Sequence, residues 1–500
     1  MDYDHIIRSI ILTFHYFFLV FTIAIIGGYV ILAIFSSKET MDYLKKNSFV
    51  HHKDLIKSPI APSISIIAPA YNESLNIVEN VRSLLSTHYV NYDVIIVNDG
   101  SKDDSLEKLI NAYDLEKVEY LINKKVPTQE LREGVFKSKN PAFDKLIVVD
   151  KQNGGKADAL NCGINMSESK YIACIDVDCL LLEDSLQRMV KPFLEHTDRK
   201  VIASGGVIRI ANACKIEDGK LLEVNFPDKW IERAQILEYL RAFLLGRMAW
   251  ARLNGLLVIS GAFGLFDKEI AIEVGGYDTK TVGEDMEIIV RMRAYMEERK
   301  EEYKVAYIPD PLCWTEAPDD RKILISQRNR WTRGTIETLK MHKKIGMNYK
   351  YRVLGLLSFP YWFIFERMAP IVEVTGILYF LFLVWYQSIS WSFVLGLFLL
   401  AYLFSLLFSF VAIFTEEFTY HQYKNKGIGL KLVLTIILEP FILHPLVLYA
   451  AMRGNWDYYF NKNKKWGVMV RKGLAKTKLD KLKKIKNIKK IIPRKNDKKD

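Results

Sequence analysis

The sequence predicts an α/β domain built on a mostly parallel sheet with helices on both faces, carried by α-helical membrane segments. Three observations predict it. Apolar strand-like stretches alternate with helix-like ones between residues 61 and 345. Polar side chains collect where those strands end. Two long runs without charge flank the region.

The first run, Ile10 to Phe35, has 26 residues and no acidic or basic side chain except His15; the second, Val374 to Phe414, has 41 and none. A crossing needs about 20 apolar residues. The first run therefore fits one crossing. The second fits two, broken at Gln387-Ser388-Ile389-Ser390. A signal peptide would have a shorter apolar stretch and a small-residue cleavage site, so residues 10–35 read as an uncleaved anchor. Asp2 and Asp4 oppose Arg8 before it, whereas Lys38, Lys45, Lys46 and Lys53 follow it. Basic loops stay in the cytoplasm. Residues 1–9 are then external, 36–60 are a linker, and 61–345 are a cytoplasmic domain of a multi-pass plasma-membrane protein.

Residues 351–367 are amphipathic and aromatic and predict an interfacial helix. The two later crossings occupy 370–414. Pro440 and Pro445 interrupt residues 428–452, which predicts a re-entrant or interfacial hairpin, with a transmembrane hairpin as the alternative. Residues 453–500 form a basic cytoplasmic tail. From Arg471 to Asp500 there are 14 Lys or Arg against 3 Asp, a net +11 out of the +12 on the chain. A near-neutral remainder argues against a nucleic-acid surface on the folded domain, whereas the tail suits anionic lipid or plain solvent. The five cysteines, Cys162, Cys174, Cys179, Cys214 and Cys313, form no Cys-x-x-Cys pair, in keeping with a reduced compartment and no zinc site.

Within the domain, residues 63–71, 92–100, 145–151 and the stretch from Tyr171 predict four strands, each followed by a helical pattern or a turn. In parallel sheets of this kind ligands bind at the carboxyl ends of strands. Those ends carry Asn72 and Glu73, Asn98 and Asp99, Asp150 and Lys151, and Asp176 and Asp178.

Each polar group has a chemical reading and a plainer one. Asp176 and Asp178 offer two hard oxygen donors one residue apart, which suits Mg²⁺ or Mn²⁺ on substrate phosphates; Asp-x-Asp also occurs by chance. Asp99 offers an acceptor for a base or ribose, or simply closes an Asx turn. Gly154 and Gly155 open a helix at Lys156 without P-loop spacing, and there admit a phosphate or form an ordinary loop. Glu284, Asp285 and Glu287 crowd one helix start beyond what the helix dipole requires, and Asp285 is a candidate general base. Gln327, Arg328, Arg330 and Trp331 offer diphosphate neutralisation and a flat surface for a sugar, or a helix meeting the membrane interface.

In this order, Asn98-Asp99, Asp176-x-Asp178, Glu284-Asp285 and Gln327-x-x-Arg330-Trp331 resemble the processive family 2 glycosyltransferases, which include cellulose, hyaluronan and poly-N-acetylglucosamine synthases. The resemblance covers roughly residues 60–345 and, with the flanking membrane segments, most of the chain. It implies a GT-A fold, a UDP-sugar donor, a growing glycan as acceptor, the lipid bilayer and export or accessory subunits as partners, and Mg²⁺ or Mn²⁺ as cofactor. It implies nucleotide-sugar contacts at Asn72, Glu73, Asp99, Lys156 and Asp176, and metal binding at Asp178 with Asp176. It implies proton abstraction by Asp285, and acceptor and diphosphate contacts at Gly261, Glu284, Gln327, Arg328, Arg330 and Trp331. The chemistry implied is single displacement with inversion, N-acetylglucosamine being the first expectation and glucose the next. A non-processive transferase acting on a lipid phosphate is the competing reading. The signature of a cyclic-di-GMP-binding PilZ domain is missing, so regulation of that kind is not expected.

Overall fold

The computed structural model describes residues 3–47, 61–195, 198–423 and 428–461. The expected linker from residue 48, and the tail beyond residue 461, lie outside the described residues. A 45-residue helix, α1 (Tyr3–Asn47), precedes the sheet domain. The first half of that domain runs β1 (Ile64–Ala70), α2 (Ile77–Leu85), β2 (Tyr92–Asp99), α3 (Ser105–Tyr113), β3 (Leu115–Val118), β4 (Leu131–Ser138), β5 (Leu146–Lys151), α4 (Lys156–Met166) and β6 (Tyr171–Ile175). Next come β7 (Leu180–Leu181), α5 (Ser185–Leu194), β8 (Lys200–Ile210) and a hairpin of β9 (Lys215–Glu217) and β10 (Lys220–Glu223). The second half continues through α6 (Trp230–Leu240), α7 (Met248–Arg252), β11 (Phe263–Asp267), α8 (Lys268–Glu273), α9 (Glu284–Arg299), β12 (Tyr303–Thr315) and α10 (Arg321–Met341). The chain then enters α11 (Phe359–Tyr361), α12 (Ala369–Trp385), α13 (Trp391–Thr419) and α14 (Ile428–Phe460).

Ten strands form one sheet in the order β3-β4-β5-β2-β1-β6-β11-β8-β12-β7. The four expected strands, β5-β2-β1-β6, are its parallel heart. Their residues are nearly all buried, so the strands read as continuous apolar runs. The antiparallel additions β3, β4 and β11, and the long pair β8 and β12, are further strands that the four-strand reading does not contain. Strand order turns back between β1 and β6, which opens a crevice at their carboxyl ends. Helix α4 lies tight on the sheet: a Cβ on Gly163 would stand 2.2 Å from Ile67 Cγ2.

Among the described residues, four helical stretches are long and apolar enough to cross a membrane: Ile6–Lys46, Leu354–Trp385, Trp391–Thr419 and Ile428–Phe460. Three departures from expectation follow. Helix α1 does not end at residue 35 but continues to Asn47, because the stretch after Phe35 contains no helix breaker and docks on the domain. Ser36 donates to the Leu244 carbonyl, Tyr43 to Asp310, and Arg252 reaches Glu39 and Asp42 at 3.1 and 2.8 Å. The segment expected as a separate interfacial helix at 351–367 winds through wide turns directly into α12. Its Leu354 and Phe359 are buried with Met286, Val290 and Leu339 of the domain. Finally, α14 is one unbroken helix with Pro440 and Pro445 inside it, not two halves. A proline removes one ladder hydrogen bond, and neighbouring packing can carry the helix past it.

The domain is fastened to α13 by Arg209 of β8 and Glu416, both almost wholly buried. Removing one partner of such a pair leaves the other charge buried alone. Glu416→Ala should therefore destabilise the protein by about 3–5 kcal/mol, read as a lowered melting temperature in detergent.

Candidate active site

Lys156 is the first residue of α4, and the loop before it is shaped by a carboxylate. Asp99, at the end of β2, is buried and accepts from Gly154 N at 2.9 Å, Gly155 N at 2.8 Å, Asn153 Nδ2 at 3.1 Å and Lys151 Nζ at 2.6 Å. The two glycine N–H groups expected to admit a phosphate thus bind Asp99 instead. Gly155 has a φ of +87°, a backbone state that suits glycine. Lys151 is itself fully buried between Asp99 and Asp158, whose hydrogen bonds raise its pKa against the opposing effect of burial.

So positioned, Lys156 reaches Asp176 at 2.5 Å and Glu284 at 3.6 Å. Burial disfavours its charge, yet Asp176 and Glu284 outweigh burial and its pKa is raised. Glu284 is buried, which raises its carboxyl pKa; Lys156 opposes that rise and Asp285 adds to it. Gly261 binds the cluster from the other side. Its carbonyl accepts from Lys156 at 3.3 Å and its N–H donates to Asp285 Oδ2 at 3.2 Å. A Cβ there would stand 2.8 Å from Lys156 Nζ, so a side chain would displace the ammonium.

A cavity of about 270 Å³ opens over this cluster. Lys156, Asp176, Gly261, Glu284, Asp285, Gln327, Arg330 and Trp331 all line it. Five expected residues stand outside its wall. Asp99 is enclosed as described. Asn72 and Glu73 tie the end of β1 to the next turn: Asn72 Oδ1 accepts from Lys102 N at 2.8 Å, and Glu73 N donates to Ser105 Oγ at 3.0 Å. Arg328 does not line the cavity beside Gln327, because adjacent residues on a helix point about 100° apart. It pairs with Glu238 at 2.7 Å and lies over the Trp331 ring at 4.0 Å, holding that indole. Asp178 is buried just behind Asp176.

Ligand atoms of Asp176, Asp178 and Cys179 lie within 4.8 Å of one another. Two carboxylate donors fit a hard divalent cation such as Mg²⁺ or Mn²⁺. A hydrogen bond with Cys313 and burial push the Cys179 thiol pKa well up, so it is a poor ligand beside them.

Several cavity residues carry no sequence signal of their own. Tyr239, Phe243 and Arg247 come from α6 and the wide turn after it, Glu316 and Asp319 from beyond β12, and Trp362 from the segment before α12. Behind the wall, Gly283 and Gly334 press α9 against α10: a Cβ on Gly334 would stand 2.7 Å from the Gly283 Cα. Buried Glu337 of α10 accepts from Thr281 Oγ1 at 2.8 Å and Val282 N at 2.9 Å. Glu287 adds a third fastening, meeting Arg291 at 2.8 Å and His342 at 3.0 Å. Asp285 and the Arg330–Trp331 pair are therefore carried on one packed unit.

The glycosyltransferase like family 2 model matches residues 61–334, more than half the chain, and a chitin synthase model matches residues 281–444. Poly-β-1,6-N-acetyl-D-glucosamine synthases of Staphylococcus epidermidis and Staphylococcus aureus are 28% identical over 318 and 321 residues. Each match spans 64% of this chain and 64% of the relative, just under two thirds of the relatives' length. A solved mannosyltransferase from Pyrobaculum calidifontis, in complex with GDP-mannose and Mn²⁺, aligns over 88% of this chain and 99% of its own, with a TM-score of 0.45 and 14% identity.

Two outcomes test the packed unit. Gly334→Ala should push α10 off the start of α9, costing about 1–3 kcal/mol by overpacking; melting temperature and turnover should fall together. Burial disfavours ionised Glu287, but His342 and Arg291 outweigh it and hold its pKa below the ordinary glutamate value of 4.5. Its contribution to stability is thus present above that pH and is lost on acidification through the lowered pKa. Melting temperature followed from neutral pH downward should drop less steeply in Glu287→Gln.

Proposed function

The chain belongs to glycosyltransferase like family 2, and on that premise we propose that it transfers a sugar from a UDP-sugar to a growing β-linked polysaccharide, with inversion at the anomeric carbon. The observation that carries this reading is the convergence of Lys156, Asp176, Glu284, Asp285, Gln327, Arg330 and Trp331 on one cavity next to the membrane segments. N-acetylglucosamine is the sugar we propose, supported by the relatives that make poly-β-1,6-N-acetyl-D-glucosamine.

In the proposed step, the acceptor hydroxyl oxygen bonds to the anomeric carbon as the bond from that carbon to the diphosphate breaks. The hydroxyl proton passes to Asp285, and the electron pair of the broken bond goes to the diphosphate. The hydrogen bond from Gly261 N fixes the orientation of the accepting carboxylate. Arg330 and Lys156 supply positive charge for the leaving diphosphate. Trp331, braced by Arg328, offers its face to a sugar ring. Asp178 and Asp176 would hold Mg²⁺ or Mn²⁺, which supplies charge neutralisation at the diphosphate when bound. Asp99 acts in this scheme through the loop it binds, as a positioning residue for Lys156.

Asp285→Asn should lower UDP release by about 10²–10⁴-fold while nucleotide binding, followed by calorimetry, is kept. UDP release against a panel of UDP-sugars, with the product sized, should show preference for UDP-N-acetylglucosamine and long chains. Preference for another sugar would remove the donor assignment. Single-sugar products would remove processivity.

A further inference from the structure

Helix α14 has the length and composition of a membrane span, yet its contacts describe something else. Its 33 residues extend about 50 Å at the α-helical rise. At its start, Ile428 is buried in the main core cluster, which joins the catalytic domain to α1 and α13, and Lys431 pairs with Asp228 of the domain at 2.8 Å. In its middle, Glu439 accepts from Arg241 at 2.9 and 3.1 Å, and Leu443 packs with Ala234 and Leu324. At its end, Gly454 lies so close to α10 that a Cβ would stand 2.9 Å from the Asn329 carbonyl oxygen. Asn329 also donates to Asp457 at 2.7 Å, and Lys340 stands 5.4 Å over the Tyr458 ring.

Asp228, Arg241, Asn329 and Lys340 all belong to the catalytic domain. The hydrocarbon core is about 30 Å thick, so a domain on one side of it cannot hold both ends of a crossing helix. The faces of α14 divide accordingly. Thr435, Glu439, Leu443, Ala450 and Gly454 are buried against protein. Leu430, Leu434, Ile437 and Phe441 recur at helical spacing and are exposed, and Phe441 meets Phe398 and Tyr402 of α13. That stripe is continuous with the apolar surface of the spanning helices.

We propose that α14 does not cross the bilayer. One face binds the catalytic domain along the length of the helix, and the other enters the hydrocarbon of the leaflet on that domain's side. Among the described residues the chain then crosses three times, through α1, α12 and α13, and the end of α14 stays on the catalytic side. Because α14 grips α10 through Asn329 and Gly454, the helix carrying Gln327, Arg330 and Trp331 is held at the membrane surface.

Single cysteines test this in the full-length chain in intact cells, with a membrane-impermeant maleimide and the parent chain as the blank. Gln387→Cys, between α12 and α13, and Asp500→Cys should label from opposite sides: one before the membrane is opened, the other only afterwards. Labelling of both from the same side would mean that α14 crosses and would overturn the proposal. A nitroxide on Phe441→Cys should be relaxed by oxygen in preference to a water-soluble nickel chelate. Preference for the chelate would place that face in water and overturn its seat in the leaflet.

Discussion

The half-buried ammonium of Lys156 is the interaction on which the candidate site depends. Two acidic side chains, from the end of β6 and the first turn of α9, approach within 3.6 Å of it. Without that charge, Asp176 and Glu284 would face each other in a partly dry cleft, where like charges strongly disfavour shared ionisation. The lysine is held there by a second tier of charge. Asp99 uses a backbone cradle and Lys151 to fix the loop that launches α4. The network is thus layered: an inner pair of lysines sets the geometry, and an outer rim of acidic groups and Arg330 faces the cavity.

That arrangement has a mechanical counterpart. Helix α10 carries the cavity's Gln327, Arg330 and Trp331 and is bound on two sides. Toward the domain, the Gly283–Gly334 approach and Glu337 lock it to the segment bearing Asp285. Toward the membrane, Asn329 and Gly454 lock it to α14. The residues proposed to grip a leaving diphosphate and the residue proposed to take a proton are parts of a single rigid body. Its outer boundary is membrane-associated helix.

Much of this was legible in the sequence. The four parallel strands were readable because each is buried on both faces and so must be apolar throughout. The site residues on those strand ends and helix starts were readable because polar groups beside such runs need a reason to be there. Asn72, Glu73 and Asp99 are expected ligand contacts by their place at strand ends, and in the structure the side chains of Asn72 and Asp99 and the backbone N–H of Glu73 also tie neighbouring loops. A carboxylate that anchors a loop and one that binds a ligand have the same local sequence. Arg328 shows a different limit: a motif gives residue order, whereas the direction of the side chain is set by which face of α10 meets Glu238.

By itself, the sequence determined the alternation of strands and helices, the apolar segments and the residue types gathered at one sheet edge. These follow from periodicity and from the cost of burying charge, which act locally along the chain. Only the tertiary structure decided which carboxylates face the cavity, that α1 continues onto the domain, and that both ends of α14 meet the same domain. Those outcomes depend on contacts between residues far apart in the chain, such as Asp99 with Gly154 and Asn329 with Asp457. The same apolar helix can cross a bilayer or lie along its surface. The difference is made by the partners available to its polar side chains.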